Sequence, residues 1–401
     1  MEGEVISLAF GGYGVVKKGK DVFFLSGALP DEIVDFSIDF KRKGVNFGVV
    51  KKIIKSSEAR VKPKCKYFLK CGGCNFQNLN YEQQLIEKEK ILKEILKKIG
   101  NLEARFEKPI FSKEYGYRKK VQFEINDEGK ICFFKRNSNK LIEINECPVL
   151  SKPLELFLKR INKNNLKFFD AKNLTLYLSK SIVGRIETTE ENLLKFWRNL
   201  KKISLKGLWL KPKKGFGKYL IKRNFEKYFL YHSPFSFMQI NEEVNKFLID
   251  EILNYLKDYN DLNILDGFAG VGNFSVPLSL KFKNVFAVEN SKSNFYLLQR
   301  NKEDMKIENL NLINKNFEEV DLKERIDLIL VDPPREGLTK GSIEKILSFL
   351  PEFLIYISCE PSTFARDLKI IKKFYSIEYI KLVDMFPQTY HTEAVCFLRK
   401  L

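Results

Sequence analysis

From residue 241 onward the chain alternates helical segments with short strands of continuous apolar character, and this alternation constrains its architecture more than any other feature. EEVNKFLIDEILNYL is followed by LNILDGFAG, NVFAVE, NLNLINK, RIDLILVDPP, LIYISC and AVCFLRK. A strand with no polar face must be covered on both sides, so the pattern predicts a parallel, doubly wound α/β sheet. Such sheets bind ligands beyond the carboxyl ends of their strands, and the residues at those ends carry the chemistry.

The first strand ends in ILDGFAGVGNFS. Gly267, Gly270 and Gly272 let the backbone approach a ligand closely, and Asp266 can receive a positively charged amino group. Dinucleotide-binding folds carry a similar turn. Glu289, ending NVFAVEN, is placed for both ribose hydroxyls of an adenosine and suits either cofactor class. DLILVDPPREG separates the two. Asp332 and its prolines present oxygen acceptors rigidly beside the place of a transferable methyl group, whereas a simple proline turn would need no acid. Together these signals predict an S-adenosylmethionine site.

The next apolar strand ends LIYISCEPSTFARDL, which puts Cys359 at the same edge. Carbon 5 of uracil is a poor nucleophile, and a thiolate adding to carbon 6 converts the ring to an enolate whose carbon 5 can accept a methyl group. The adduct must then lose its carbon-5 proton to a base. Glu393, in MFPQTYHTEAVC, is the candidate; His391, two residues away, is the alternative and suits substrate orientation better. His232 reads as structural. Cys359 read alone would be a small buried hydrophobe, but the neighbouring motifs converge on it.

At 401 residues two or three units are expected. Residues 1–57 hold about five short β-prone runs separated by turn signals, which predicts a small closed barrel. Tyr13, Phe23, Phe24, Arg42, Lys43 and Phe47 are candidates for an RNA-facing surface, with most of the aromatics expected in the core. The segment resembles the TRAM domain, an RNA-binding barrel with the OB-like architecture. A mainly β domain is expected over 58–235. It carries a long helix, YEQQLIEKEKILKEILKKI, that stops at Gly100, and one further helix near 189–201. The methyltransferase domain is expected over 236–401.

Seven cysteines fit no disulfide framework in a reducing compartment, so grouped ones read as ligands or catalysts. Cys65, Cys71 and Cys74 are separated by five and then two residues, and Cys147 can add a fourth thiolate from beyond the helix. Four thiolates suit tetrahedral zinc or an iron-sulfur cluster, and spacing leaves the choice open. Cys132 and Cys396 are assigned to packing.

The excess of 70 Lys+Arg over 51 Asp+Glu, a net charge of +19, is spread along the chain and points to a polyanionic partner. A lysine-rich genome would produce the same excess, so charge proposes nucleic acid without proving it. KRKGVNFG, GYRKK and KGLWLKPKKGFGKYLIKRNFEK are the basic-aromatic segments; the last reads equally well as a solvated face. No long apolar run marks a membrane span or leader, so a cytoplasmic, soluble chain is expected, working as a monomer.

The set SFMQIN, LDGFAGVGNFS, DPPREG, SCEPSTFARDL and FPQTYHTEA resembles the RNA 5-methyluridine methyltransferases, over the whole chain. The resemblance implies that Gln239, Phe268, Asn273, Glu289, Asn316 and Asp332 contact S-adenosylmethionine, with Cys359 as nucleophile and Glu393 as proton acceptor. It implies a 4Fe-4S cluster on Cys65, Cys71, Cys74 and Cys147. GYRKK resembles a family motif near the active site, which makes Arg118, with Lys119 and Lys120, the RNA-binding candidates. A barrel together with four cysteines most resembles members acting on 23S rRNA; the tRNA T-loop is the second substrate. The target base would have to be flipped out of its RNA.

Two other classes remain. A radical enzyme would need three cysteines spaced by three and two residues to leave one iron open, and this chain has five and two plus a fourth ligand. An RNA-binding or assembly factor would not need an intact nucleophile, base and cofactor turn. A cytosine methyltransferase would carry its nucleophile in the loop after RIDLILV, where DPPR has no cysteine.

Overall fold

A computed structural model describes residues 1–401. Strands β1 (Glu2–Ala9), β2 (Tyr13–Lys18), β3 (Asp21–Ser26), β4 (Ile33–Arg42) and β5 (Val45–Lys55) close into a barrel in the order β1-β2-β3-β5-β4. Its inward positions, Val5, Val16, Phe23, Leu25, Val34 and Phe36, alternate with solvent-facing residues, as the period of two in a strand requires. Phe23 is therefore core, whereas Tyr13, Phe24 and Phe47 are half-buried and pack together, Tyr13 to Phe47 at 5.3 Å and Phe24 to Phe47 at 5.7 Å.

Helix α1 (Tyr81–Ile95) is capped by Asn80, whose side chain accepts from the Gln83 amide, and it ends in a π turn at Gly100. Strand β6 (Phe106–Ile110) follows. The central sheet uses β7 (Lys120–Ile125), β8 (Ile131–Phe134), β9 (Leu141–Glu143), β10 (Asn173–Leu178), β11 (Ile182–Glu187), β12 (Gly207–Lys211) and β13 (Lys214–Gly217). Its order is β13-β12-β11-β10-β7-β8-β9. Helices α2 (Lys152–Lys163) and α3 (Glu190–Lys202) interrupt it, and a ribbon of β14 (Ile221–Asn224) and β15 (Phe229–His232) ends the region. The expectation of one later helix here was short by one: α2 buries Leu154, Phe157, Leu158 and Ile161 at helical spacing, each giving about 1.5–3 kcal/mol of burial.

The C-terminal body contains α4 (Glu242–Tyr255), β16 (Asn263–Asp266), α5 (Ser275–Ser279), β17 (Asn284–Val288), α6 (Lys292–Asp304), β18 (Leu310–Ile313), β19 (Leu328–Val331), α7 (Lys340–Phe349), β20 (Phe353–Ser358), α8 (Pro361–Ile371), β21 (Tyr375–Val383) and β22 (Glu393–Lys400). The sheet order is β18-β17-β16-β19-β20-β22-β21-β6. Two details depart from expectation. Strand β22 runs antiparallel to both neighbours, so the sheet is mixed. Strand β6 pairs parallel with β21, and α1 contributes Leu92 to the apolar layer that covers the sheet. A stretch from within 58–235 is thus built into the body placed at 236–401. No helix is long and apolar enough to cross a membrane.

Candidate active site and cysteine cavity

The carboxyl edge of the sheet assembles itself from strand register. Asp266 ends β16 opposite Leu330 of β19, two residues before Asp332. The antiparallel pairing of β20 and β22 matches Ser358 with Ala394, so the next step of the ladder puts Cys359 across from Glu393. Nucleophile and base candidates from opposite ends of the last two motifs therefore face each other on two rigid strands.

Burial of these acids raises their proton affinity. Desolvation, then the nearby Asp266, pushes Asp332 up to about 7. Desolvation pushes Asp266 up to about 6, against a hydrogen bond from the Ser275 hydroxyl. Glu393 is held well above the carboxylate range by burial and by Asp332 and Asp384, with Arg335 and Lys88 opposing. The same burial, then Glu393 and Asp332, raises the Cys359 thiol to about 12, with Arg335 pulling it down. His391 is driven the other way, to about 4, by burial and by Arg335, Lys88 and Arg118. A neutral imidazole packed 4.4 Å from the Tyr390 ring is a weak base, and it takes no part in raising Cys359. His232 is buried with Nδ1 bonded to the Phe237 carbonyl, as a structural residue would be.

The cofactor turn fits a cationic amino acid conjugate. Asp266 is fully buried, yet its Oδ1 has no hydrogen-bond partner, a costly arrangement unless a donor is delivered there. Gly270 has φ +59°, and a side chain built on it would meet nothing within 4 Å, so the turn faces open space. Glu289 accepts from Gly270 N at 2.9 Å and Ser291 N at 2.7 Å, which fixes its carboxylate while leaving lone pairs for hydroxyl donors. Phe268 stands half-buried against Phe317, with ring centroids at 5.6 Å.

The remaining contacts divide. Gln239 is buried just before α4, its carbonyl accepting from Arg223. The Asn273 amide is engaged reciprocally with Asn245 at 2.9 Å in both directions. Exposed Asn316 caps a short 3₁₀ turn through Glu319 and accepts from Asn290.

The four cysteines come together. Cys65, Cys71, Cys74 and Cys147 line one cavity of roughly 300 Å³ with Gln77, Arg118, Phe133 and Leu150. Burial raises all four thiols, and negative charge on neighbouring sulfurs adds to the rise at Cys71, Cys74 and Cys147; Cys74 and Cys147 reach about 12. No three His, Cys, Asp or Glu side chains are grouped as a ligand set for a metal ion. Arg118 is the nearby compensating cation for Cys71, Cys74 and Cys147. Cys132 and Cys396 are fully buried elsewhere.

The GYRKK lysines have intramolecular partners: Lys119 pairs with Glu242, and Lys120 lies 5.2 Å from the Tyr177 ring centroid. Arg118 donates to the Lys120 carbonyl at 2.9 Å. A larger cavity of about 1210 Å³ lies between Lys119, Lys152, Tyr228 and Glu242 and contains none of the candidate catalytic or cofactor residues. Convergent titratable groups identify the site here better than volume does.

Sequence reasoning gave no role to Arg335, which lies inside the quoted DPPREG and lowers both Cys359 and Glu393. It also missed the buried Lys88–Asp384 ion pair at 2.6 Å, whose aspartate adjoins the quoted FPQTYHTEA and also accepts from Tyr81.

Comparison with known proteins agrees with this chemistry. The tRNA (Uracil-5-)-methyltransferase family model matches residues 220–401. An RNA methyltransferase of Aquifex aeolicus strain VF5 is 33% identical, with 98% of this chain and 97% of the relative aligned. The 23S rRNA (uracil(1939)-C(5))-methyltransferase RlmD of Aliivibrio fischeri strain MJ11 is 27% identical over 99% of this chain and 95% of its own. Among solved structures, the Pyrococcus abyssi tRNA (uracil-54, C5)-methyltransferase bound to S-adenosyl-L-homocysteine superposes with a TM-score of 0.79 at 27% identity, covering 99% of both chains. These matches favour uridine methylation over the radical-enzyme and binding-factor readings, and the chain belongs to the RNA (uracil-5-)-methyltransferase family.

Proposed function

We propose that this enzyme methylates carbon 5 of a specific uridine in 23S rRNA, with Cys359 as covalent nucleophile and Glu393 as base. The observation that carries the chemistry is the register of β20 and β22, which sets Cys359 opposite Glu393 beside Asp332. Full-length similarity to 23S rRNA enzymes supports the substrate, and similarity to a tRNA enzyme makes the tRNA T-loop the alternative.

S-adenosylmethionine, when bound, supplies an electrophilic methyl group on a positively charged sulfur. Asp266, Asp332 and Glu289 are the residues that would hold it, with Phe268, Asn273, Gln239 and Asn316 completing the pocket. Burial, then Glu393 and Asp332, raises the Cys359 thiol, and a cation beside Asp332 would offset the last of these. Cys359 gives its proton to solvent and adds to carbon 6 of the uracil; the ring electrons move to carbon 5, which would take the methyl group as the methyl–sulfur bond breaks with its pair left on the sulfur. Glu393, which burial, Asp332 and Asp384 make a stronger base than an ordinary carboxylate, then removes the carbon-5 proton in its ionised form. The C–H electron pair restores the ring double bond, and the C–S bond breaks with its pair returning to Cys359.

For the second cavity the proposal is a 4Fe-4S cluster held by Cys65, Cys71, Cys74 and Cys147. Four half-buried cysteines lining one cavity, with Arg118 beside them, support that reading. An anaerobic preparation should be brown with about four irons per chain; stoichiometric zinc would refute the cluster. Arg118, Lys119 and Lys120 remain proposed RNA contacts, the two lysines after release of their internal partners. We place the enzyme in the cytoplasm as a monomer, with the domains near 1–57, 58–235 and 236–401 except for the α1–β6 stretch.

The deciding experiment incubates the enzyme with labelled S-adenosylmethionine and either unmodified 23S rRNA or unmodified tRNA, then digests to nucleosides. Labelled 5-methyluridine from rRNA alone is expected. Label from tRNA alone would keep the chemistry and replace the substrate. RNA containing 5-fluorouridine should trap the wild-type protein covalently, because fluorine cannot leave as a proton; trapping by Cys359→Ala would remove that residue from its role.

A further inference from the structure

Glu393 begins β22, and the nine residues before it, 384–392, form an irregular loop. That loop is fixed largely by the segment that follows Cys74. The Gln388 carbonyl accepts from Asn75 N at 2.9 Å and Phe76 N at 3.1 Å, the two residues immediately after the cysteine. Gln388 N donates to Gln84 Oε1 at 3.1 Å. The Gln84 amide donates in turn to the carbonyls of Phe76 and Leu79 and to Gln388 Oε1, at 3.0, 2.7 and 3.2 Å. Gln388 Nε2 reaches Glu114, and the Tyr117 hydroxyl donates to the carbonyl of Pro387. Gln388 is 1% exposed and has φ +70°, a conformation costly for a side-chain-bearing residue unless its surroundings impose it.

We propose that Gln388 is a positioning residue through which the cysteine-bearing loop sets the place of Glu393. Every bond it makes to Asn75, Phe76 and Gln84 crosses more than 300 residues of sequence, and its backbone strain is stored five residues before the base. Cys359, by contrast, directly follows β20 and makes none of these bonds. Both residues share the sheet ladder, but Glu393 alone is led into it by the knotted loop, so proton removal carries a dependence on the cysteine-bearing segment that adduct formation does not. The proposal rests on the covalent reading given above and assigns a new dependence within it.

The test uses Gln388→Gly, which keeps the left-handed backbone and the carbonyl bonds to Asn75 and Phe76 and removes the side-chain bonds to Gln84 and Glu114, and Gln84→Met, which keeps the volume and removes the amide bonds to Gln388, Phe76 and Leu79. Misplacing a base by about 1 Å costs on the order of 100-fold. We expect kcat to fall about 10- to 100-fold with KM for RNA essentially unchanged. The diagnostic reading is a methylated protein–RNA adduct accumulating on denaturing gels with ordinary uridine RNA, because the carbon-5 proton is no longer removed. Folded Cys74→Ser protein should accumulate the same adduct. Wild-type kcat in both glutamine variants would overturn the proposal, as would slow turnover without adduct. Trapping of wild type on 5-fluorouridine RNA is run alongside; if it fails, the covalent reading has failed and not the knot.

Discussion

The carboxyl edge of the sheet and the cysteine cavity both gather ionisable groups that burial drives toward their protonated forms, and both are completed by positive charge. They differ in what holds them. Asp266, Asp332, Cys359 and Glu393 stand at the ends of β16, β19, β20 and β22, each anchored by a ladder of backbone bonds. Cys65, Cys71, Cys74 and Cys147 stand on loops held by isolated turn bonds, such as Cys71 N to the Tyr67 carbonyl, and by side-chain bonds, such as Cys65 N donating to Gln77 Oε1. A site on strand ends survives the loss of its ligand, whereas a site on loops depends on its ligand for its shape.

The sharpest way to break this comparison is to remove one donor from each. Cys359→Ala should abolish methylation and leave the melting temperature within a degree or two of wild type, since a half-buried side chain at a strand end supports little packing. With the proposed cluster in place, Cys147→Ala should lower stability by upwards of about 4 kcal/mol, the range reached when a structural metal group is lost. Thermal unfolding of both proteins, prepared anaerobically, reads the contrast. Equal melting temperatures would show that the cavity is as self-sufficient as the strand edge.

A second test sits where the two regions meet. Lys88 of α1 and Asp384 of the catalytic loop are both fully buried, and Lys88 also donates to the Phe386 carbonyl. Removing one member strands the other: Lys88→Met should cost about 3–5 kcal/mol. Lys88→Met with Asp384→Asn should recover part of that loss, because no charge is left without a partner. Urea unfolding at pH 7.5 measures both, and a double variant no better than the single would show that the pair serves packing alone.

What could be read from sequence follows the same division. Residues at strand ends announce themselves, because an apolar strand, a turn and an acid or thiol lie within a dozen positions, and Asp266, Glu289, Asp332, Cys359 and Glu393 all did. The direction of β22 was readable too: nine residues between β21 and β22 are too few for a parallel crossover. Helix α2 carried its signal in Leu154, Phe157, Leu158 and Ile161. The rest was illegible for a physical reason. Lys88 is one lysine among several in α1, and only a partner 296 residues away distinguishes it. Gln84 and Gln388 are likewise unremarkable until the fold joins them, and β6 belongs to the catalytic sheet solely by virtue of β21.

The smallest effect tests the electrostatic half of the comparison. In the free enzyme Asp332 titrates near 7 and Asp266 near 6, both above their usual values because burial disfavours the charged form. Their native-state protons are therefore bound more tightly than in the unfolded chain, so these two groups make the empty protein less stable as pH rises from about 4 through 7. A cationic ligand needs the charged forms, and the sign reverses for binding. Affinity for S-adenosylmethionine should be full above pH 7 and fall about tenfold per unit as pH drops below 7, more steeply below 6. Asp332→Asn should remove the upper step and leave the lower one. Equilibrium dialysis of labelled cofactor between pH 5.5 and 8.5 measures this. A flat wild-type profile would mean that the acids at the strand ends do not wait for positive charge, and the likeness to the cysteine cavity would then end at burial.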